Sequence, residues 1–163
     1  MTTKSRKTVA SAASTPVRKS LKSGSFLLPL VQSGLGGLTS IDKDRIEAGL
    51  RSQFADSLDL DAAMRKAHPH DNRWDYLLGH APTDSVVALE PHSANTSEVS
   101  VVIKKKESAQ QHLKGHLKAG AKVRKWIWVA SGATHILQFS KAKTQLAQSG
   151  ITLAGKQVLA SHL

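Results

Sequence analysis

The sequence predicts an α/β fold in which a mixed β-sheet is flanked by helices. Three observations carry that expectation. Short β-branched and aromatic runs, Trp74–Gly79 and Val86–Leu89 among them, are bounded by turn residues. A long segment near 97–118 repeats its apolar residues at helical spacing. The two kinds of segment alternate in the order α-β-β-α-β-β-α-β, a mixture that packs as a sheet with helices against it.

Residues 1–25 are rich in Ser, Thr, Ala and Lys, with too few large apolar groups to offset the entropy of ordering. They are expected to form a disordered basic arm. Residues 26–39 read as an apolar and Gly-rich connector, in which Phe26, Leu27, Leu28, Leu30 and Val31 dock on the domain. Gly34, Gly36 and Gly37 lack the spacing of a phosphate-binding loop. Residues 40–163 read as a single α/β domain.

Within that domain Ser40 is placed to cap a helix over 42–56, with Ile41, Ile46, Leu50 and Phe54 at helical spacing. Asp59–Lys66 predicts a second short helix, broken by His68-Pro69-His70-Asp71-Asn72. The two strands that follow are joined by a link short enough for an antiparallel hairpin. Asn95 and Glu98 stand three apart as in a capping box. Val99, Val102, Ile103, Leu113 and Leu117 then mark one helix face, and Gly120 ends it. Lys106 and Gln110 fall inside that face, where a polar group needs a partner or a cleft. Trp126–Ala130 and 135–139 read as strands, Ser140 caps a short helix stopped by Gly150, and 151–154 is a last strand.

Charge is unevenly distributed along the 163 residues, whose net charge is +11. Residues 1–38 carry six bases and no acid, residues 39–90 ten acids against six bases, and residues 91–163 eleven bases against two acids. Basic segments neutralise phosphates and draw in a polyanion, whereas clustered carboxylates hold divalent cations. Zero cysteines exclude disulfides, Cys-ligated zinc and thiol catalysis, and fit a reducing compartment. No run approaches the roughly 20 apolar residues of a membrane helix. The basic, Ser-rich start lacks a signal-peptide core. The expectation is a cytoplasmic protein without a membrane partner.

Asp75 on the first of the hairpin strands and Glu90 at the end of the second can meet at one end of a sheet and share a divalent ion. His92, two residues on, points to the same side as Glu90. With Glu47 on the preceding helix and a helix after the second strand, residues 42–130 resemble the PD-(D/E)XK nuclease superfamily. The resemblance implies a restriction-endonuclease-like core and a metal-dependent phosphodiesterase acting on DNA or RNA, with Mg²⁺ (or Mn²⁺) as the ion. Asp75 and Glu90 would be its metal ligands, with Glu47 and Gln110 supporting. The family's lysine is replaced by His92, and Lys106 on the following helix is the best placed to restore its charge. That departure leaves open a catalytically inactive adaptor of the same fold that binds nucleic acid or a protein. Lys104, Lys105, Lys114, Lys118, Lys122, Arg124 and Lys125 supply the polyanion-facing surface under either reading.

Rival chemistries are weaker. His68, His70, His80 and His92 lie near Asp71 and Asp75, a composition compatible with zinc, but His-x-His in a Pro-containing loop reads first as solvated loop. Ser131-Gly132 lacks the flanks of a nucleophile elbow. Trp74, Trp126 and Trp128 could stack on bases, with core packing the favoured role for at least one.

Overall fold

The structure is a computed structural model that describes residues 15–136 and 140–163. Its centre is a six-stranded mixed sheet in the order β1-β2-β3-β4-β5-β6: Gln32–Ser33, Phe54–Asp59, Tyr76–His80, Ser85–His92, Val123–Ala130 and Ile151–Leu153. Strands β1 to β4 pair antiparallel, and β4, β5 and β6 pair parallel. The helices are α1 (Pro16–Ser20), α2 (Ser40–Lys43), α3 (Leu60–Arg65), α4 (Val99–Leu113) and α5 (Lys141–Gln148). No helix among the described residues is long and apolar enough to cross a membrane.

Strand alternation divides the core into two layers. Leu77, Val86, Ala88, Trp126 and Trp128 point to the face covered by α1, α3, α4 and α5. Tyr76, Leu78, Val87, Leu89, Ile127 and Val129 point to the other face, packed by Leu35, Leu38, Ile46, Leu50 and Val158. Strands covered on both sides read as unbroken apolar runs, which is why β4 and β5 stand out in the sequence.

Three stretches depart from expectation. The helix over 42–56 is instead α2, a 3-10 segment Ala48–Gln53, and then strand β2. Ile46, Leu50 and Phe54 are buried as their spacing implied, but on a chain that turns rather than spirals. Strand β2 is hidden in the sequence because its central Asp56 and Ser57 are polar, yet both are fully buried. Asp56 accepts hydrogen bonds from the Val17 and Arg18 amides at 3.1 and 3.0 Å, and Ser57 Oγ accepts from the Gly37 amide at 2.8 Å. Those partners are distant in sequence.

Residues 15–25, expected as part of the disordered basic arm, are packed on the sheet. Residues 16–20 form α1, whose Val17 packs in the core together with Leu21. Two apolar residues among lysines and serines are too sparse for composition to reveal. Residues 1–14 lie outside the described residues. In the connector, Leu27 and Val31 are buried as anchors, whereas Phe26 and Leu30 are exposed. Boundaries at 25 and 39 therefore do not separate one packed unit from another. Finally, His135 and Ile136 carry no strand, and residues 137–139, the remainder of that expected strand, lie outside the described residues.

Asp56 is the tie between α1 and the sheet. Replacing it with alanine leaves two amides without their acceptor and should cost about 3 kcal/mol, read as a lower urea midpoint. Gly79→Ala should destabilise by the same route, because its Cβ would overlap the Asp56 carboxylate.

Candidate active site at the end of the central strand

Register brings Asp75 and Glu90 together. Tyr76 pairs with Leu89 and Leu77 with Ala88, so the next positions outward, Asp75 and Glu90, are cross-strand neighbours. Both have the parity that faces α4. Glu90 is completely buried, and its Oε2 accepts a hydrogen bond from the Asp75 amide at 2.9 Å. The Asp75 carbonyl accepts from the Leu60 and Asp61 amides, which holds this residue against the start of α3.

The cation comes from α4. Val99, Val102, Ala109 and Leu113 are its buried residues. The stripe they draw passes between positions 105 and 106, which lie on its two flanks. Lys105 turns toward β4, where its ammonium donates to Glu90 Oε1 and lies 3.8 Å from Asp75 Oδ1. Lys106 turns the other way. It donates to the Ser149 carbonyl and sits 5.6 Å over the Trp126 ring. The lysine expected in the site is thus displaced by one position, and Lys105, assigned from sequence to the polyanion surface, takes its place.

His92 stays at the rim. Its Nδ1 is 3.8 Å from Glu90 Oε1, and its Nε2 is 2.8 Å from Glu98 Oε2 in the turn before α4. Its carbonyl accepts from Trp128 Nε1 at 3.0 Å, which fixes the backbone there. Glu98, read from sequence as a capping residue, instead orients this imidazole. Asn95 makes no side-chain cap.

The electrostatics follow from burial. Loss of water pushes the Glu90 carboxyl up to about 8; the Asp75 charge adds to the shift and Lys105 opposes it. Burial likewise raises Asp75 to about 6, opposed by Lys105 and reinforced by Asp61, Asp42 and Asp59. Such a centre has an excess of carboxylate that one ammonium does not fully offset. It can hold a proton, or a cation of higher charge.

Other expected site residues lie elsewhere. Glu47 is exposed ahead of the 3-10 segment. Gln110 is exposed and lines a groove of about 610 Å³ with Lys22, Lys114, Lys118 and Lys122, floored by Leu113, Leu117, Val123 and Trp126. The groove lies toward the far end of the sheet, since Val123 pairs with Val86 whereas Trp128 pairs with Glu90. Lys104 is exposed on α4. Arg124 bonds Ser85 Oγ and, with Lys125, lines a separate depression near α5. The bases of 104–125 thus form several surfaces rather than one facing the carboxylates. Trp74, Trp126 and Trp128 are all buried, and Trp74 meets Trp126 edge-on at 5.0 Å. The four weighed histidines are not gathered together: His80 is buried against Thr83 and Gln53, and His92 belongs to the carboxylate centre.

No family model, no curated protein and no solved structure matches the chain.

Burial of Glu90 has a measurable linkage. The folded chain keeps a proton that the unfolded chain releases near 4.5, so the stabilisation is complete below that pH and is lost as pH rises to about 8. The stability of the wild type relative to Glu90→Gln should therefore decline across that interval in metal-free buffer. Urea unfolding of both chains at stepped pH measures it, and a constant difference contradicts it.

Proposed function

We propose that the chain is a metal-dependent nuclease of PD-(D/E)XK type, with Lys105 from the helix serving where the family places lysine on the strand. The observation that carries this reading is the convergence of Asp75, Glu90 and Lys105 at one end of β4. Asp75 at the start of a strand paired antiparallel with the Glu90-bearing strand, followed by a helix and a parallel strand, supports it further.

The residues present fit Mg²⁺ or Mn²⁺. Asp75 and Glu90 offer hard carboxylate oxygens, and the ammonium near both of them marks where positive charge is already favoured. Bound there, the ion would lower the pKa of a water and steady phosphate charge. Lys105, released from Glu90, would hold a non-bridging phosphate oxygen. His92, oriented by Glu98 and with Nδ1 3.8 Å from Glu90 Oε1, would take a proton from the attacking water.

A second reading, an inactive nucleic-acid-binding or protein-interaction adaptor of the same fold, is favoured by the lysine-lined groove set apart from the carboxylates. Assays on DNA and RNA with Mg²⁺ or Mn²⁺ distinguish the two. A nuclease should be silenced by EDTA and should lose about 100-fold or more in rate in Asp75→Asn, Glu90→Gln and Lys105→Ala, while Lys106→Ala stays near wild type. Salt-sensitive binding without cleavage supports the nucleic-acid adaptor instead, and cleavage undiminished in Glu90→Gln removes Glu90 from the chemistry.

A further inference from the structure

A second cluster of chemistry-bearing side chains lies away from the carboxylates, about 10 Å along α4 from Lys105 as the helix rises. It joins His68 and Asp71, in the loop after α3, to His112 near the end of α4. Asp71 Oδ2 is 3.2 Å from His68 Nδ1 and 2.9 Å from His112 Nε2. One ligand atom from each residue lies within 4.8 Å of the other two. Zinc bonds of roughly 2.0–2.1 Å at tetrahedral angles put neighbouring ligand atoms about 3.3 Å apart. The carboxylate-to-imidazole distances already approach that spacing.

The cluster is held in place. The Arg73 guanidinium donates to the His68, Pro69 and Asp71 carbonyls at 2.8, 3.1 and 3.4 Å, and also to Asp61 Oδ1 at 2.8 Å. The loop that looks solvated in sequence is therefore tied down on both sides of its ligands. On the other wall His112 is nearly covered, and its ring stacks on His68 with centroids 3.8 Å apart and planes 17° apart. The stack holds both rings beside the Asp71 carboxylate.

We infer that His68, Asp71 and His112 form a Zn²⁺ site. Two imidazole nitrogens and one carboxylate oxygen suit zinc better than Mg²⁺ or Ca²⁺, which take oxygen ligands. Asp71 and His68 are partly exposed, so the remaining coordination position opens to water. Each imidazole that donates to Asp71 in the metal-free chain shifts its proton to the other ring nitrogen and offers the freed lone pair to the ion.

Zn²⁺ titration of the full chain by calorimetry, with Co²⁺ absorption as a report on geometry, tests the site. The expected result is a Zn²⁺ bound by the full chain that is retained in Glu90→Gln, so that any second ion at the Asp75–Glu90 centre is told apart from it. In His68→Gln and Asp71→Asn, affinity should fall by more than the roughly 10–100-fold that loss of an outer-shell partner costs. Both substitutions fall on partly exposed side chains, and unchanged melting without metal verifies that the variants fold. No uptake by the wild type, undiminished uptake in either loop variant, or loss of all uptake in Glu90→Gln overturns the assignment.

Discussion

Burying the Glu90 carboxylate is the constraint on which the arrangement rests. A carboxyl group without water is costly unless its oxygens find partners. Glu90 finds the Asp75 amide, one residue before β3, and an ammonium on α4. These bonds join the central strand, its antiparallel neighbour and the crossover helix at one point. They also bring Asp75 and Lys105 into a common centre, so the geometry that makes the site is the geometry that makes burial tolerable.

Asp56 solves the same problem differently. It too is fully buried, but it is satisfied by the two amides of α1 rather than by a side-chain cation. One buried acid therefore organises the end of the sheet where chemistry is proposed, and the other recruits the segment after residue 15 into the domain. Gly79 is part of this second device, since only a residue without Cβ leaves room for the Asp56 carboxylate.

Local pattern carried much of the architecture. The runs around Leu77 and Val87, the short link between them and the helix through Val102 and Leu113 were legible because each is a local pattern. So were the Ser140 cap, which accepts from the Lys143 amide at 3.2 Å, and Gly150 with its positive φ of 70°. Strand β2 was not legible, because its polar centre is paid for by amides far away in sequence. Helix α1 was not legible, because its two buried side chains mean nothing until a sheet is there to receive them.

The sequence by itself determined the α/β class, the antiparallel hairpin and the shared parity of Glu90 and His92, since a strand's period of two is a property of its own backbone, whereas the register of the hairpin decided that Asp75 faces the same side. Tertiary structure alone decided which lysine meets those carboxylates. Positions 105 and 106 flank the same apolar stripe, and only the docking of α4 between β4 and α5 sends one to Glu90 and the other to Ser149. It also decided that His112 meets His68 and Asp71 across a gap of some forty residues. Spacing along a chain says nothing about pairs that only a packed helix and a tied loop bring face to face.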